Sequence, residues 1–202
     1  MCPGDPAGSE AAAKVAAKAA ALQLMAFDID GTLTDGKIYI GPDGEAMKAF
    51  CVRDGLGLVL LREAGIVVAI ITARRSPIVD RRAAELGITE VVQGSHDKRA
   101  AFEDLCRRRR IAPAEAGFMG DDWADMPAMR SAGFVAAPAD AALPVREMAH
   151  WVSKRPAGDG AARELAEFIL SCRGEYEAAL SRRSGQPRPP TEEKPTAESG
   201  LP

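Results

Sequence analysis

Two aspartates separated by one residue, Asp28 and Asp30, are the side chains of this sequence best suited to chemistry. They follow residues 22–27, a mostly apolar run typical of a buried strand, and Gly31 begins the loop after them. Ligands of open α/β sheets bind at the carboxyl ends of the strands, so we expect both carboxylates to face a ligand. One could act as a nucleophile and the other as a general acid/base. An Asp-rich turn is the alternative, because Asp and Gly are common turn formers.

Three further predicted strands are also followed by polar groups. Those groups are Thr72, Lys98 and the set Asp121, Asp122 and Asp125. Singly, Thr72 could cap a helix, Lys98 could be a solvated lysine of a first helical turn, and Asp121 with Asp122 could form a turn. Taken together, four successive strands each deliver a group that phosphoryl transfer needs, and this combination favours a phosphoryl-transfer site.

Phosphoryl transfer depends on positioning the reacting groups and on neutralising their charge. A bound phosphate brings up to two negative charges next to a carboxylate nucleophile, so the two repel each other unless a cation lies nearby. Hard oxygen ligands select Mg²⁺ as that cation, while a lysine and a hydroxyl can hold the remaining phosphoryl oxygens. The second aspartate would protonate the leaving alcohol and then deprotonate the hydrolytic water.

The elements that must position these groups alternate between strand and helix along the chain. Predicted strands lie at residues 22–27, 66–71, 90–93, 116–119 and 134–137, and predicted helices at 56–63, 77–86, 97–110, 126–131 and 161–180. This order predicts an α/β fold of the Rossmann-like, doubly wound kind, with a parallel sheet covered by helices on both faces. A β-hairpin at residues 37–50 is the one predicted insertion, and no second segment is long enough to form a large cap domain.

The length and composition of the chain fit one globular domain with tails. The chain has 202 residues, of which 47% are hydrophobic and 27% charged. We expect the domain to span residues 21–180. Residues 1–20 are Ala-rich without an apolar signal core and are interpreted as a disordered or loosely helical extension. Residues 184–202 are rich in Pro, Glu, Ser and Gly and are predicted to be a disordered tail.

Charge and cysteine usage argue against several other classes of function. The net charge of −3 gives no overall attraction for nucleic acid, and the basic run at residues 107–110 fits a helix C-terminus better than a nucleic-acid contact. The four cysteines are scattered without a C-x-x-C pair, so a zinc site is not expected and free thiols in the cytoplasm are. No apolar run reaches the roughly 20 residues of a membrane span, so no membrane partner is expected.

The set of strand-end residues and its order resemble the haloacid dehalogenase-like phosphatase superfamily over residues 22–172. The resemblance implies that Asp28 is a nucleophile that forms an aspartyl-phosphate and also a metal ligand. It implies that Asp30 contacts the substrate as acid/base and binds Mg²⁺ through its backbone carbonyl, and that Thr72 and Lys98 bind the phosphoryl group. Asp121 would be a direct Mg²⁺ ligand.

Two more aspartates take supporting roles in this resemblance. Asp125 stands in the family's G-D-x-x-x-D spacing and would support the metal site or the phosphate-binding lysine, and Asp122 would have a similar role. Further segments, at residues 28–36, 52–57, 81–88, 92–94 and 120–127, look like the capless branch of the superfamily and, within it, the 3-deoxy-D-manno-octulosonate 8-phosphate phosphatases. These enzymes release a free sugar acid for lipopolysaccharide, and relatives act on a nine-carbon sugar-acid phosphate.

The same resemblance implies a homotetramer in which hairpins pack together and a Gly-rich C-terminal segment reaches a neighbouring active site. Residues 156–164 match that segment, although an ordinary loop before the last helix is the alternative. Arg74 and Arg82, eight residues apart, are expected on one helical face, where the resemblance places arginines that bind the sugar acid. A solvated basic face is the alternative for them. The chain departs from the family at Ala73, which is usually Gly, and at Asp159, so the identity of the sugar is open.

Two other functions remain compatible with these residues. The first is a phosphatase of the same chemistry that acts on a different sugar acid or another small phosphate ester. The second is an assembly or regulatory protein that kept the fold without activity, which fits less well because each catalytic position holds a competent residue.

Overall fold

The computed structural model of the protein describes residues 6–185. Its helices are α1 Pro6–Ala20, α2 Val52–Glu63, α3 Pro77–Glu85, α4 Lys98–Arg109, α5 Met126–Ser131, α6 Leu143–Met148, α7 Ala161–Cys172 and α8 Tyr176–Ser184. Its strands are β1 Leu24–Phe27, β2 Tyr39–Gly41, β3 Gly44–Met47, β4 Val67–Thr72, β5 Glu90–Gln93, β6 Ala116–Met119, β7 Phe134–Ala137 and β8 Trp151–Val152. None of the helices in this range is both long and apolar enough to cross a bilayer.

Six strands form one parallel sheet in the order β5-β4-β1-β6-β7-β8. Side chains of β1 alternate between two cores, with Met25 and Phe27 on one face and Leu24 and Ala26 on the other. Helices α2, α3 and α7 cover the first face, and α4, α5 and α6 cover the second. The expected doubly wound α/β fold is therefore confirmed, and β1 is a central strand whose carboxyl end lies in the middle of the sheet edge.

The expected hairpin is formed by β2 and β3. These strands pair antiparallel, with Tyr39 opposite Met47 and Gly41 opposite Gly44. Gly44 has a φ of +111°, a backbone conformation that L side chains rarely adopt, so glycine suits the tight turn. Within residues 6–185 this hairpin is the only β-structure outside the six-stranded sheet, and no large cap domain is present.

The N-terminal segment was expected to be disordered or loosely helical, and the described part of it is an ordered helix that docks on the core. Residues 6–20 form helix α1, whose Val15 and Ala19 pack against the first core beside α7. Lys18 Nζ donates a hydrogen bond of 2.8 Å to the carbonyl of Gly133. High helix propensity of the alanines and this docking explain the order that composition alone did not reveal.

The C-terminal region also differs in detail. One helix was expected over residues 161–180, but Gly174 adopts a φ of +70° and separates α7 from α8. Short elements α6 and β8 were not expected, because each is too brief to show a periodic pattern. The predicted tail at residues 184–202 lies outside the described residues, apart from Ser184 and Gly185 at the end of α8.

Candidate active site

Asp28 lies directly beyond β1, and its carboxylate is held by a buried lysine. The backbone N–H of Asp28 donates to Met119 O at 3.0 Å, which continues the pairing between β1 and β6. Lys98 is the first residue of α4, and Asp97 caps that helix by accepting from Ala100 N. Lys98 Nζ lies 2.7 Å from Asp28 Oδ1. The nucleophile candidate and the phosphate-binding lysine candidate are thus brought together as expected.

Asp125 joins the lysine to the loop that carries Asp121. Its Oδ1 accepts from Lys98 Nζ at 2.6 Å, and its Oδ2 accepts from the backbone N–H groups of Asp121 at 3.0 Å and Asp122 at 3.2 Å. A Cβ at Gly120 would lie 2.5 Å from the Asp125 carboxyl group, so the close approach needs glycine there. These contacts fit the supporting role that the sequence predicted for Asp125.

Three carboxylates converge at this point. Oxygens of Asp28, Asp121 and Asp125 all lie within 4.8 Å of one another. Asp121 accepts a hydrogen bond of 3.0 Å from Thr32 Oγ1. Gly31, with a φ of +93°, lies so close that a Cβ there would be 2.1 Å from Asp121 Oδ2, which explains why glycine follows the second aspartate.

The electrostatics of the cluster favour the uptake of a cation. Burial, reinforced by the charge of Asp125, raises the pKa of Asp28 to about 6, although Lys98 opposes that rise. Burial and repulsion from Asp125 and Asp28 raise the pKa of Asp121 to about 7. Once their protons have left, the three carboxylates stand against the single ammonium of Lys98, with two negative charges in excess. Hard oxygen donors with an excess of two charges fit a divalent ion such as Mg²⁺.

Thr72 is the last residue of β4 rather than the residue after it, and it is buried. β4 pairs with β1 so that Ile70 lies beside Phe27. Asp28 and Thr72 both come after this pair, at the carboxyl ends of neighbouring strands. The carbonyl of Thr72 accepts from Ser95 N at 3.1 Å. The threonine is therefore at the sheet edge where the sequence placed it.

Asp30 faces the hairpin rather than the acidic cluster. Lys48 Nζ hydrogen-bonds to Asp30 Oδ1 and lies 2.9 Å from Glu45 Oε1. Arg74 Nε is 3.8 Å from Asp30 Oδ2 and Arg74 Nη2 is 3.9 Å from Glu45 Oε1. Neither Glu45 nor Lys48 was expected here, because a charged residue of a short hairpin gives no signal that it will fold back over a strand end.

The two arginines do not share a helical face, and that expectation is wrong. Arg74 lies in the loop before α3, which begins only at Pro77, whereas Arg82 lies within α3. Arg82 Nη1 donates to Glu85 Oε2 at 2.7 Å, and its guanidinium lies 5.8 Å from the centre of the Phe50 ring. Arg74 is the more exposed of the two side chains, at 46% against 21%. Their roles toward a sugar acid stay predictions.

Asp122 is exposed, and its Oδ1 accepts from Trp123 N at 2.8 Å, so the structure gives it a local contact in the loop.

The segment at residues 156–164 leads into α7, as the alternative interpretation expected. Gly158 N donates to Thr32 O at 3.3 Å, and Asp159 pairs with Arg53. The segment thus packs on its own chain's loop after β1, and its reach into a neighbouring subunit stays a prediction.

Comparisons with known proteins agree with this geometry. A family model described as a haloacid dehalogenase-like hydrolase matches residues 50–133. The 3-deoxy-D-manno-octulosonate 8-phosphate phosphatase of Escherichia coli K12 is 42% identical over 167 residues, which cover 83% of this chain and 89% of that protein. The Yersinia pestis enzyme of the same name is 41% identical, with 80% and 87% covered.

Solved structures give the same result. The phosphatase of this name from Moraxella catarrhalis, in complex with magnesium, phosphate and a KDO molecule, aligns with a TM-score of 0.82 and 38% identity, covering 84% of this chain and 98% of that one. The Yersinia pestis crystal structure aligns with a TM-score of 0.79 and 40% identity, covering 81% and 89%.

Proposed function

The chain belongs to the 3-deoxy-D-manno-octulosonate 8-phosphate phosphatases of the haloacid dehalogenase-like hydrolases, and we propose that Asp28 is the nucleophile with which it hydrolyses that sugar-acid phosphate. The enzyme is a phosphatase, and its products are inorganic phosphate and the free sugar acid, which the relatives' pathway uses for lipopolysaccharide. The observation that carries this proposal is the buried cluster in which Lys98 bridges Asp28 and Asp125 beside Asp121.

The reaction runs in two displacements at Asp28. Its carboxylate oxygen attacks the phosphorus, the bond to the sugar oxygen breaks, and Asp30 gives a proton to that oxygen. Asp30 then takes a proton from water, which attacks the aspartyl-phosphate and frees Asp28 and phosphate. Lys98 and Thr72 hold the phosphoryl oxygens during both displacements.

The cofactor is Mg²⁺, and Asp28, Asp121 and the backbone carbonyl of Asp30 are the residues that would hold it. When bound, the ion supplies positive charge that offsets the repulsion between the phosphoryl group and the carboxylates. Asp125 keeps both of its oxygens on Lys98 and on backbone N–H groups, so it orients the site instead of adding a further free ligand.

The sugar-acid carboxylate would be bound on the arginine side of the site. Arg74 lies within 4 Å of both Asp30 and Glu45, which places a guanidinium beside the predicted acid/base. Arg82 lies farther along α3, over Phe50. A planar guanidinium binds a carboxylate through two hydrogen bonds, so these residues suit a substrate with a phosphate at one end and a carboxylate at the other. A nine-carbon sugar-acid phosphate fits the same arrangement and is the alternative substrate.

We propose that the protein is a homotetramer, as its family resemblance implies, and that the hairpin forms the contact surface between subunits. Apolar side chains are exposed there and at the start of α2, including Ile40 at 77% and Val52 at 81%. Exposed apolar patches of this kind mark contact surfaces. An Ile40→Lys variant should run as a smaller species in size-exclusion chromatography with light scattering, and Lys37→Met on the same hairpin is the matched control. A wild-type protein with any mass other than that of four chains would contradict the proposal.

A cytoplasmic location is proposed from the thiols. Cys51, Cys106 and Cys172 are free cysteines, as expected in a reducing compartment. The small substrate is the partner that the site requires, and neither nucleic acid nor membrane is part of the proposal.

The decisive experiment measures phosphate release from 3-deoxy-D-manno-octulosonate 8-phosphate and from a panel of other sugar phosphates, with Mg²⁺ and with EDTA. We expect metal-dependent release that is fastest with the named substrate. Faster release from a nine-carbon sugar acid would favour the alternative. Failure to hydrolyse any phosphate ester with Mg²⁺ would overturn the function and favour a non-enzymatic role.

A further inference from the structure

The side chain of Lys48, near the end of the hairpin, is buried although the residues on either side of it are exposed. Its side chain is 1% accessible, while Met47 is 58% accessible and Ala49 is also exposed. The Nζ atom hydrogen-bonds to Asp30 Oδ1 and lies 2.9 Å from Glu45 Oε1. A buried ammonium carries a large desolvation cost that two carboxylates can offset, so its position is fixed by both contacts.

The carboxylate of Asp30 is consequently asymmetric. Its Oδ1 is bound to Lys48, whereas Oδ2 is buried and has no hydrogen-bond partner among residues 6–185. Arg74 Nε lies 3.8 Å from Oδ2, beyond hydrogen-bond length. One oxygen is therefore anchored, and the other keeps its hydrogen-bonding capacity unused among the described residues.

Glu45 anchors the lysine from the opposite side. Its Oε1 contacts Lys48, and its Oε2 accepts a hydrogen bond from Ser76 Oγ at the start of α3. The backbone N–H of Ser76 donates a hydrogen bond of 2.7 Å to Gln93 Oε1, which ties the loop before α3 to β5. The hairpin, α3 and the sheet edge thus jointly fix the position of the Lys48 ammonium.

We propose that Lys48 is a positioning residue for the reaction, which holds Asp30 through Oδ1 so that Oδ2 is directed at the leaving-group oxygen. This inference rests on the proposed function. In the first displacement the proton on Oδ2 passes to the sugar oxygen as its bond to phosphorus breaks, and in the second Oδ2 receives a proton from water. Lys48 keeps its own protons throughout and acts only by fixing the carboxylate.

A structural role and a positioning role predict different dependence on the leaving group. A lysine that only stabilised the fold would lower the rate for every substrate by the same factor. A lysine that aims the general acid matters when the leaving alcohol needs a proton, as a sugar does, and matters little for p-nitrophenyl phosphate, whose leaving group departs as an anion. The parameter kcat/KM reports the first displacement, in which only the acid function of Asp30 is used.

The test compares Lys48→Met with wild type on the sugar-acid phosphate and on p-nitrophenyl phosphate. We expect kcat/KM to fall about 100-fold for the sugar-acid phosphate, but less than about threefold for the aryl ester. Asp30→Asn should show the same pattern with a larger loss, and Lys37→Met, on an exposed lysine of the same hairpin, should match wild type. Equal losses on both esters, or no loss with either, would overturn the inference.

A second variant keeps the test valid if Lys48→Met does not fold, because that change leaves two carboxylates without their cation. Glu45→Gln/Lys48→Met removes the uncompensated charge of Glu45 and should show the same dependence on the leaving group. An inactive wild-type enzyme would instead contradict the proposed function, and equal losses in Asp30→Asn would contradict the acid/base role itself.

Discussion

The side chains around Asp28 and those around Arg74 differ in burial and in how firmly they are held. On what we term the phosphoryl side, Lys98 and Asp125 are at most 5% exposed, and Lys98 Nζ lies 2.6 Å from Asp125 Oδ1 and 2.7 Å from Asp28 Oδ1. On the leaving-group side, Arg74 is 46% exposed and approaches carboxylates only at 3.8 and 3.9 Å. The two sides therefore differ in their recognition groups: the phosphate-binding lysine has close, buried partners, whereas the side chain of Arg74 on the leaving-group side is exposed and has no partner within hydrogen-bond length among the described residues.

This difference shows how a capless phosphatase can separate chemistry from recognition. The phosphoryl side is built on the ends of central parallel strands, which are rigid and buried. The leaving-group side is built on a hairpin, a loop and α3, where the exposed apolar residues of the hairpin lie. Changes on the first side should therefore affect all substrates, and changes on the second should affect substrates selectively.

The largest effect is expected on the phosphoryl side from Asp28→Asn. This variant should lose turnover by on the order of 10⁴-fold or more with every ester, because an amide is a poor nucleophile. Its far-UV circular dichroism and melting should remain close to wild type. Asp35→Asn, an exposed aspartate of the same loop, is the matched control and should keep full activity. A large residual turnover in Asp28→Asn would contradict the assignment of Asp28 as the nucleophile.

Lys98→Met should lower both activity and stability. The variant leaves Asp28 and Asp125 without their shared cation, a change that typically costs about 3 to 5 kcal/mol. We expect kcat/KM to fall about 100-fold or more with aryl and sugar phosphates alike. Urea denaturation of the metal-free protein measures the stability loss, and Mg²⁺ should recover part of it. A loss of kcat/KM with only one of the two esters would place Lys98 on the leaving-group side instead.

Arg82→Ala and Arg74→Ala should act selectively. Loss of a charge-assisted contact to the substrate carboxylate should raise KM for the sugar-acid phosphate about 10- to 100-fold. KM for p-nitrophenyl phosphate, which has no carboxylate, should change little. Steady-state kinetics with both esters measures the ratio, and Arg81→Ala on the same helix is a matched exposed control. Equal effects on the two esters would contradict carboxylate recognition.

The pKa of Asp121, raised to about 7, predicts a pH dependence of metal binding. Mg²⁺ competes with the proton on this carboxyl group, so its apparent affinity should fall about tenfold between pH 8 and pH 6. Between pH 7 and pH 4 the folded metal-free protein holds a proton that the unfolded chain has released. This contribution therefore makes the free energy of unfolding rise as the pH falls through that window.

Comparison of wild type with Asp121→Asn isolates this contribution. Isothermal titration at several pH values gives the affinity, and denaturant melts without metal give the stability. The variant should bind Mg²⁺ weakly at every pH and should lose the part of the stability slope that comes from Asp121. An affinity that does not change with pH in wild type would contradict the raised pKa.

The phosphoryl side could be predicted from the sequence because its residues directly follow strands that the sequence itself reveals. A buried strand followed by Asp28, and another followed by Asp121, meet at one sheet edge whenever the strands are parallel. Asp125 was also found this way, since it lies four residues after Asp121 in the same loop. The doubly wound fold followed from the alternation of apolar strand and helix patterns.

On the leaving-group side the sequence indicated Asp30, the two arginines and the hairpin, but it did not reveal their contacts, because these join segments far apart in the chain. Lys48 reaches Asp30 across 18 residues, and Ser76 reaches Glu45 across 31. The helical face assigned to Arg74 was wrong because α3 starts only at Pro77, after an extended Ser76. The docking of α1 was missed because an Ala-rich segment does not show which surface it will pack against. Gly174 did signal the break between α7 and α8, but one continuous helix was predicted there.

The most direct test of the account is to trap the covalent intermediate during turnover of 3-deoxy-D-manno-octulosonate 8-phosphate with Mg²⁺. Acid quench within the first turnover, proteolysis and mass spectrometry would locate the phosphoryl group on the chain. The account predicts a labelled peptide that contains Asp28, and no label in Asp28→Asn or in the presence of EDTA. A phosphoryl group on another residue, or rapid turnover of this substrate without any labelled peptide, would contradict it.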